Sequence, residues 1–176
     1  MAATAEMLEI ALQHVPHAAC IVPEKREERT TEGGLDAVTG YDLLQPCVHT
    51  LLSHGIRVSL FIEPEFEQLD AAKSLGAPVV ELHTGSYCYM KGDDQRRAFD
   101  KITNAAAYAA ELELECHAGH GLGFDTVLPI ARISEIIELN IGHFLIGEAI
   151  YNGLGNTVKR MRSLIDTART NASVEI

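Results

Sequence analysis

Two glycine-flanked histidines stand where strand-like runs end. In His117-Ala118-Gly119-His120-Gly121-Leu122, two glycines let the backbone approach a ligand closely, and an imidazole titrates near neutral pH. That combination suits a proton-transfer histidine beside an anion, although a hydrogen-bonded histidine in a plain strand-end turn carries the same pattern. A metal site at His117 and His120 is the weaker reading, because no Cys or Asp partner lies at ligand spacing. The second place is Asn140-Ile141-Gly142-His143, with Gly147 and Glu148 beyond it. Alone it is equally a tight turn, but two such ends in consecutive units point to phosphate, which the last loops of a barrel often hold. Glu81 and His83 are two apart on a strand, so they face one side. Turned inward they would set a carboxylate beside an imidazole for acid–base or charge-stabilising work; turned outward they would be a surface pair.

A fourth candidate is the stretch from Pro23 to Asp36, whose charged middle ends in Thr30-Thr31-Glu32-Gly33-Gly34. A strand-to-helix connection of that length is commonly a binding loop or a lid, or else disordered.

The elements that must position these residues are readable. Five β-rich runs, at 19–24, 56–63, 78–84, 114–119 and 139–147, are each followed by helical periodicity. Most carry apolar residues on both alternating faces, as parallel strands covered on both sides do. Helices are expected over 42–53, with Leu44, Val48, Leu51 and Leu52 inward. Another follows Glu63 as a possible cap and Pro64, with Phe66, Leu69 and Ala72 inward. Others start at Asp93 or Asp94 and near Asp125, and a last one carries Val158, Met161, Ile165 and Ala168. Residues 170–176 read as a frayed tail. At the start, Thr4 caps a helix ending at Pro16, the second half of a βα unit whose strand is not in the sequence. The whole chain, 1–176, is then one α/β domain: either an open doubly wound sheet or part of an eight-stranded barrel.

Bulk properties narrow the partners. With 14 basic against 25 acidic residues the net charge is −11, which argues against a nucleic-acid surface but not against phosphate held by backbone N–H groups. Four separated cysteines without a C-x-x-C pair fit a reducing cytoplasm. No signal sequence or membrane-length apolar run is present in the sequence.

Six motifs in order resemble one family. Val22-Pro23-Glu24-Lys25-Arg26 with Thr30-Thr31-Glu32-Gly33-Gly34-Leu35-Asp36, then Val58-Ser59-Leu60-Phe61-Ile62, Glu81-Leu82-His83-Thr84-Gly85 with Tyr87, Ala118-Gly119-His120-Gly121-Leu122 and Glu138-Leu139-Asn140-Ile141-Gly142-His143 resemble the pyridoxine 5′-phosphate synthases of vitamin B6 biosynthesis. The resemblance implies a (β/α)₈ TIM barrel, here incomplete, with about five parallel strands and flanking helices. It implies condensation of 1-deoxy-D-xylulose 5-phosphate with 3-amino-2-oxopropyl phosphate to pyridoxine 5′-phosphate, phosphate and water. His120 would donate a proton and Glu81 would stabilise the transition state. Thr30 would touch the deoxyxylulose phosphate from a mobile lid, and Gly121, Gly142 and His143 would hold the aminooxopropyl phosphate. No cofactor and no metal enters that assignment, and the full-length family forms homo-oligomers.

The chain departs from the family at His117, where Asn is usual. The family's first three strands, which bring two further proton-transfer groups, are also expected to be missing. Each such group contributes about 10²–10⁴ in rate, so the chain alone is expected to be inactive. Two alternatives stay open. One is an aldolase or isomerase on a phosphate-binding barrel, with Lys25 as the only strand-end lysine nearby; the other is an open five-stranded signalling domain.

Overall fold

The computed structural model describes residues 1–23 and 33–172, the side chains of 171 and 172 excepted. Thr30 and most of the charged stretch after Pro23 therefore lie outside the described residues. Strands β1 (Ala18–Ile21), β2 (Arg57–Ile62), β3 (Val79–His83), β4 (Glu115–Gly119) and β5 (Ile136–Asn140) form one sheet in the order β1-β2-β3-β4-β5, each pair parallel. Between and around them run α1 (Ala5–His14), α2 (Tyr41–Ser53), α3 (Phe66–Ser74), α4 (Gly85–Tyr89), α5 (Gly92–Glu111), α6 (Val127–Arg132), α7 (His143–Asn152) and α8 (Leu154–Ala172).

The sequential order decides between the two architectures. A doubly wound sheet reverses its strand order at a switch point and so covers both faces with helices. Here each strand is added on the same side of the last, and right-handed crossovers then bring the connecting helices to one face. The burial agrees. Ile21, Val58, Leu60, Ile62, Val80, Leu82 and Ala118 are fully buried with Leu44, Val48 and Leu51 of α2, Leu69 and Ala72 of α3, and Ile102, Ala105 and Ala106 of α5.

The other face is the exception to the expectation of apolar residues on both sides. It carries Cys20 beside Ser59, then the row Phe61, Glu81, His117 and Glu138, then His83, Gly119 and Asn140. Strands such as VVELH and ECHAG alternate after all, one set for the helices and one for chemistry.

Local ends follow the sequence in places and depart from it in others. Thr4 caps α1, its side chain accepting from the Met7 N–H at 3.3 Å. Ahead of α1, Ala2 pairs parallel with Val22, so the first residues lie alongside the end of β1. Glu63 caps nothing: Glu65 is the N-cap of α3, and Phe66 is half exposed against Tyr108. The last strand ends at Asn140 instead of running through 147. Gly142 then starts α7, because a short apolar run such as HFLIG suits a helix as well as a strand, and periodicity cannot separate them. α8 extends through Ala172, into the stretch read as a tail, and Val158 is exposed.

Candidate active site

Two tiers of polar side chains occupy the face opposite α2, α3 and α5. In the upper tier, at the C-terminal strand ends, His83 is 3% exposed and its Nδ1 lies 2.8 Å from Glu63 Oε1. The same oxygen accepts the Gly34 N–H at 2.8 Å. The Phe61 ring meets His83 edge-on at 5.2 Å between centroids, and the His120 ring tilts over His83 at 5.1 Å and stands 6.3 Å from Phe61. The lower tier lies two residues back along β3, about 7 Å deeper. There Glu81 Oε2 accepts from Asn140 Nδ2 at 2.9 Å and faces Cys20 Sγ at 3.7 Å.

Surroundings drive the two carboxyls apart. Burial pushes Glu81 above the ordinary carboxylate value, and the hydrogen bonds from Cys20 and Asn140 do not offset it. Burial acts upward on Glu63 too, yet the hydrogen bonds from His83 and the Gly34 backbone outweigh it and hold Glu63 low. The same burial thus favours the neutral form of Glu81, while hydrogen bonds favour the anion of Glu63.

His120 follows β4 directly and has φ 77°, with Gly121 at φ 79°. A side chain in this left-handed region costs about 1–2 kcal/mol, so something must hold it. Thr84 does. Fully buried, its hydroxyl lies 2.8 Å from the Gly119 carbonyl and 2.6 Å from that of His120. Thr84→Val keeps the shape and removes the donor, and should lower stability by about 1–2 kcal/mol. Urea denaturation measures this, and an unchanged midpoint would mean that the hydroxyl holds nothing.

His117 belongs to another cluster. A register irregularity between β4 and β5 sets it opposite Glu138. Its Nε2 is 2.7 Å from Glu115 and its Nδ1 3.3 Å from Glu138, while Arg57 pairs with Glu115. Among the described residues no group of three or more His, Cys, Asp and Glu is placed to hold a metal.

The glycine turns meet through Phe144. Its ring lies against Gly123, where an added Cβ would be 3.2 Å away, and edge-on to Phe124 at 4.8 Å. A cavity of about 380 Å³ between them joins Gly121 and Thr126 to Glu148 and Arg160. Gly142 is the N-cap of α7 and His143 its first residue, both exposed. The first N–H groups of a helix are orphan donors suited to an anion.

Glu81, His83, His120 and Gly121 thus come together, with Gly142 and His143 one loop away on the β5 side. The sequence pattern offers Glu63 only as a possible helix cap and gives no sign of the carbonyl-holding role of Thr84. The pairing of Ile62 with Leu82 sets Glu63 level with His83, a register that no single segment reveals.

Residues 1–167 match the family model described as pyridoxal phosphate biosynthesis protein PdxJ. The chain belongs to this family. A pyridoxine 5′-phosphate synthase of Rhodospirillum rubrum is 64% identical over 169 residues, which is 96% of this chain and 68% of that protein. One from Zymomonas mobilis is 59% identical over 175 residues, 99% of this chain and 68% of the relative. One from a Caulobacter species is 55% identical over 173 residues, 96% and 69% respectively. The parallel sheet in sequential order accords with a portion of the PdxJ barrel that the motifs implied. Among the described residues, no helix is long and apolar enough to cross a membrane.

Proposed function

We propose that this chain carries the ring-forming site of a pyridoxine 5′-phosphate synthase. Such a synthase condenses 1-deoxy-D-xylulose 5-phosphate with 3-amino-2-oxopropyl phosphate, giving pyridoxine 5′-phosphate, inorganic phosphate and water; the chain alone, with His120 and Glu81 but without the two further proton-transfer groups, is expected not to turn over. One observation carries the reading: Glu81 and the His120 ring lie on the same face of the sheet, opposite α2, α3 and α5, beside a glycine turn that shares a cavity with α7.

His120, held at the strand end, is the proton donor to the departing oxygen. Glu81, one tier down, stabilises positive charge developing on the condensing amine; its burial strengthens that interaction, since fewer waters screen it. The backbone of Gly121 and the start of α7 at Gly142 and His143 hold the aminooxopropyl phosphate, so the acidic net charge does not oppose anionic substrates. Thr30 contacts the other phosphate. The partners are small sugar-derived phosphates, without nucleic acid or membrane, in a homo-oligomer working in the reducing cytoplasm.

Calorimetry with each phosphate alone and then together tests this. Both should bind, and the second should still bind when the first is saturating, with pyridoxine 5′-phosphate displacing them. Mutual exclusion of the two phosphates would overturn the reading, as would borohydride trapping of one of them on a lysine, which marks a Schiff-base aldolase.

A further inference from the structure

Glu63 and His83 belong to none of the roles above, yet they occupy the centre of the upper tier. Glu63 Oε1 receives two N–H groups at once, from His83 and from the Gly34 backbone, each at 2.8 Å. Because the Glu63 carboxylate accepts, His83 Nδ1 must carry a proton and donate it, which also fixes the ring plane. Phe61 closes on that ring edge-first from β2.

The far side of the His83 ring is equally constrained. An added Cβ at Gly85 would sit 2.5 Å from His83 Nε2, 2.9 Å from its Cε1 and 3.2 Å from His120 Cδ2. Gly85 is therefore the point on which both imidazoles converge. His83 Nε2 is buried and has no hydrogen-bond partner among the described residues, so the ring is not held there for a second hydrogen bond. What it does offer is a surface on which the His120 imidazole rests, at 5.1 Å between centroids and 49°.

We propose that Glu63 and His83 form a positioning pair that sets the orientation of the His120 side chain, with the Gly34 segment docked on the same carboxylate. The chain of contacts is continuous. Gly34 approaches so closely that a Cβ there would be 2.5 Å from the Glu63 nitrogen, and Leu35 donates its N–H to the Phe61 carbonyl at 2.7 Å. A change at Gly34 thus reaches Glu63 through one hydrogen bond, His83 through the next, and His120 through ring contact. The proposal rests on His120 being the reacting imidazole, but the geometry it invokes does not.

Glu63→Gln tests it in the 176-residue chain with isotope-labelled histidines. The amide keeps the shape and loses the charge and one acceptor. Expected are about tenfold faster exchange of the Gly34 N–H, in line with the weakening of one charge-assisted hydrogen bond, and a changed side-chain rotamer distribution for His120. Glu63→Asp, which keeps the carboxylate, should restore the His120 rotamer at least in part. Asp36→Asn loosens the same loop without touching Glu63 and should leave His120 as it was. His83→Gln, a second route to the same break, should free His120 with Gly34 still protected. If His120 is unmoved in both Glu63→Gln and His83→Gln, the pair is only structural and the inference falls. Failure of phosphate to bind would leave these ring measurements intact and count against the proposed function alone.

Discussion

Alkylation of Cys20 at pH 8 should run about 100-fold slower than that of an unperturbed thiol. Cys20 is only half-buried, so access alone would not protect it. Burial first, and the neighbouring Glu81 charge second, push its thiol from the ordinary 9.0 up to about 11. Only the thiolate reacts, and a rise from 9.0 to about 11 leaves only about one part in a hundred of it. Glu81→Gln takes away the charge and leaves the burial, so the rate should recover only in part. Cys116, pushed up to about 12, and Cys47 and Cys88, both raised, should lag as well. In denaturant all four should react together. Mass spectrometry of alkylated peptides gives each rate. A Cys20 that reacts at the free-thiol rate in the folded chain would mean that Glu81 does not face it, and the lower tier would lose its anchor.

Gly119→Ala should cost about 1–3 kcal/mol, the range for overpacking a filled site. The added methyl would overlap Glu81 Oε1 and lie 2.9 Å from the Asn140 backbone oxygen. The carboxylate can swing away, but the Asn140 carbonyl belongs to the β5 ladder and cannot. The expected result is therefore double: a lower urea midpoint, and Cys20 alkylation that speeds up because Glu81 has left. Gly142→Ala is the comparison, since nothing stands within 4 Å of its would-be Cβ. It should leave Cys20 alkylation unchanged and lower the urea midpoint only by the small cost of Ala at the N-cap of α7.

Several residues of the candidate site stood out in the sequence, Glu63 and Thr84 excepted, whereas their assembly was only partly legible. Glu81 and His83 share a face because a strand has period two, and that needed no partner. His120 between two glycines announced a special backbone, found as two consecutive positive φ angles. Glu63 was not legible, because its meaning lies in the β2–β3 register, which sets it level with His83 across 20 residues of chain. The end of β5 was misplaced for a related reason. Apolar residues continue through Phe144, Leu145 and Ile146, and only the pairing of Asn140 with Gly119 ends the strand there. The polar face itself was hidden by Val58, Leu60, Val80 and Leu82, whose apolar weight masked the alternation around them. Strand order, the feature that separates a barrel arc from a doubly wound sheet, appears only in the pairing.

The site exists as a unit only if the His120 strand end and the start of α7 serve one bound molecule. Histidine-selective NMR during titration with 3-amino-2-oxopropyl phosphate reads this directly. The rings of His120 and His143 should shift along one common isotherm, with His14, His49 and His54 unmoved. Shifts confined to those three remote histidines, or separate isotherms for His120 and His143, would show that the two glycine turns do not share a ligand.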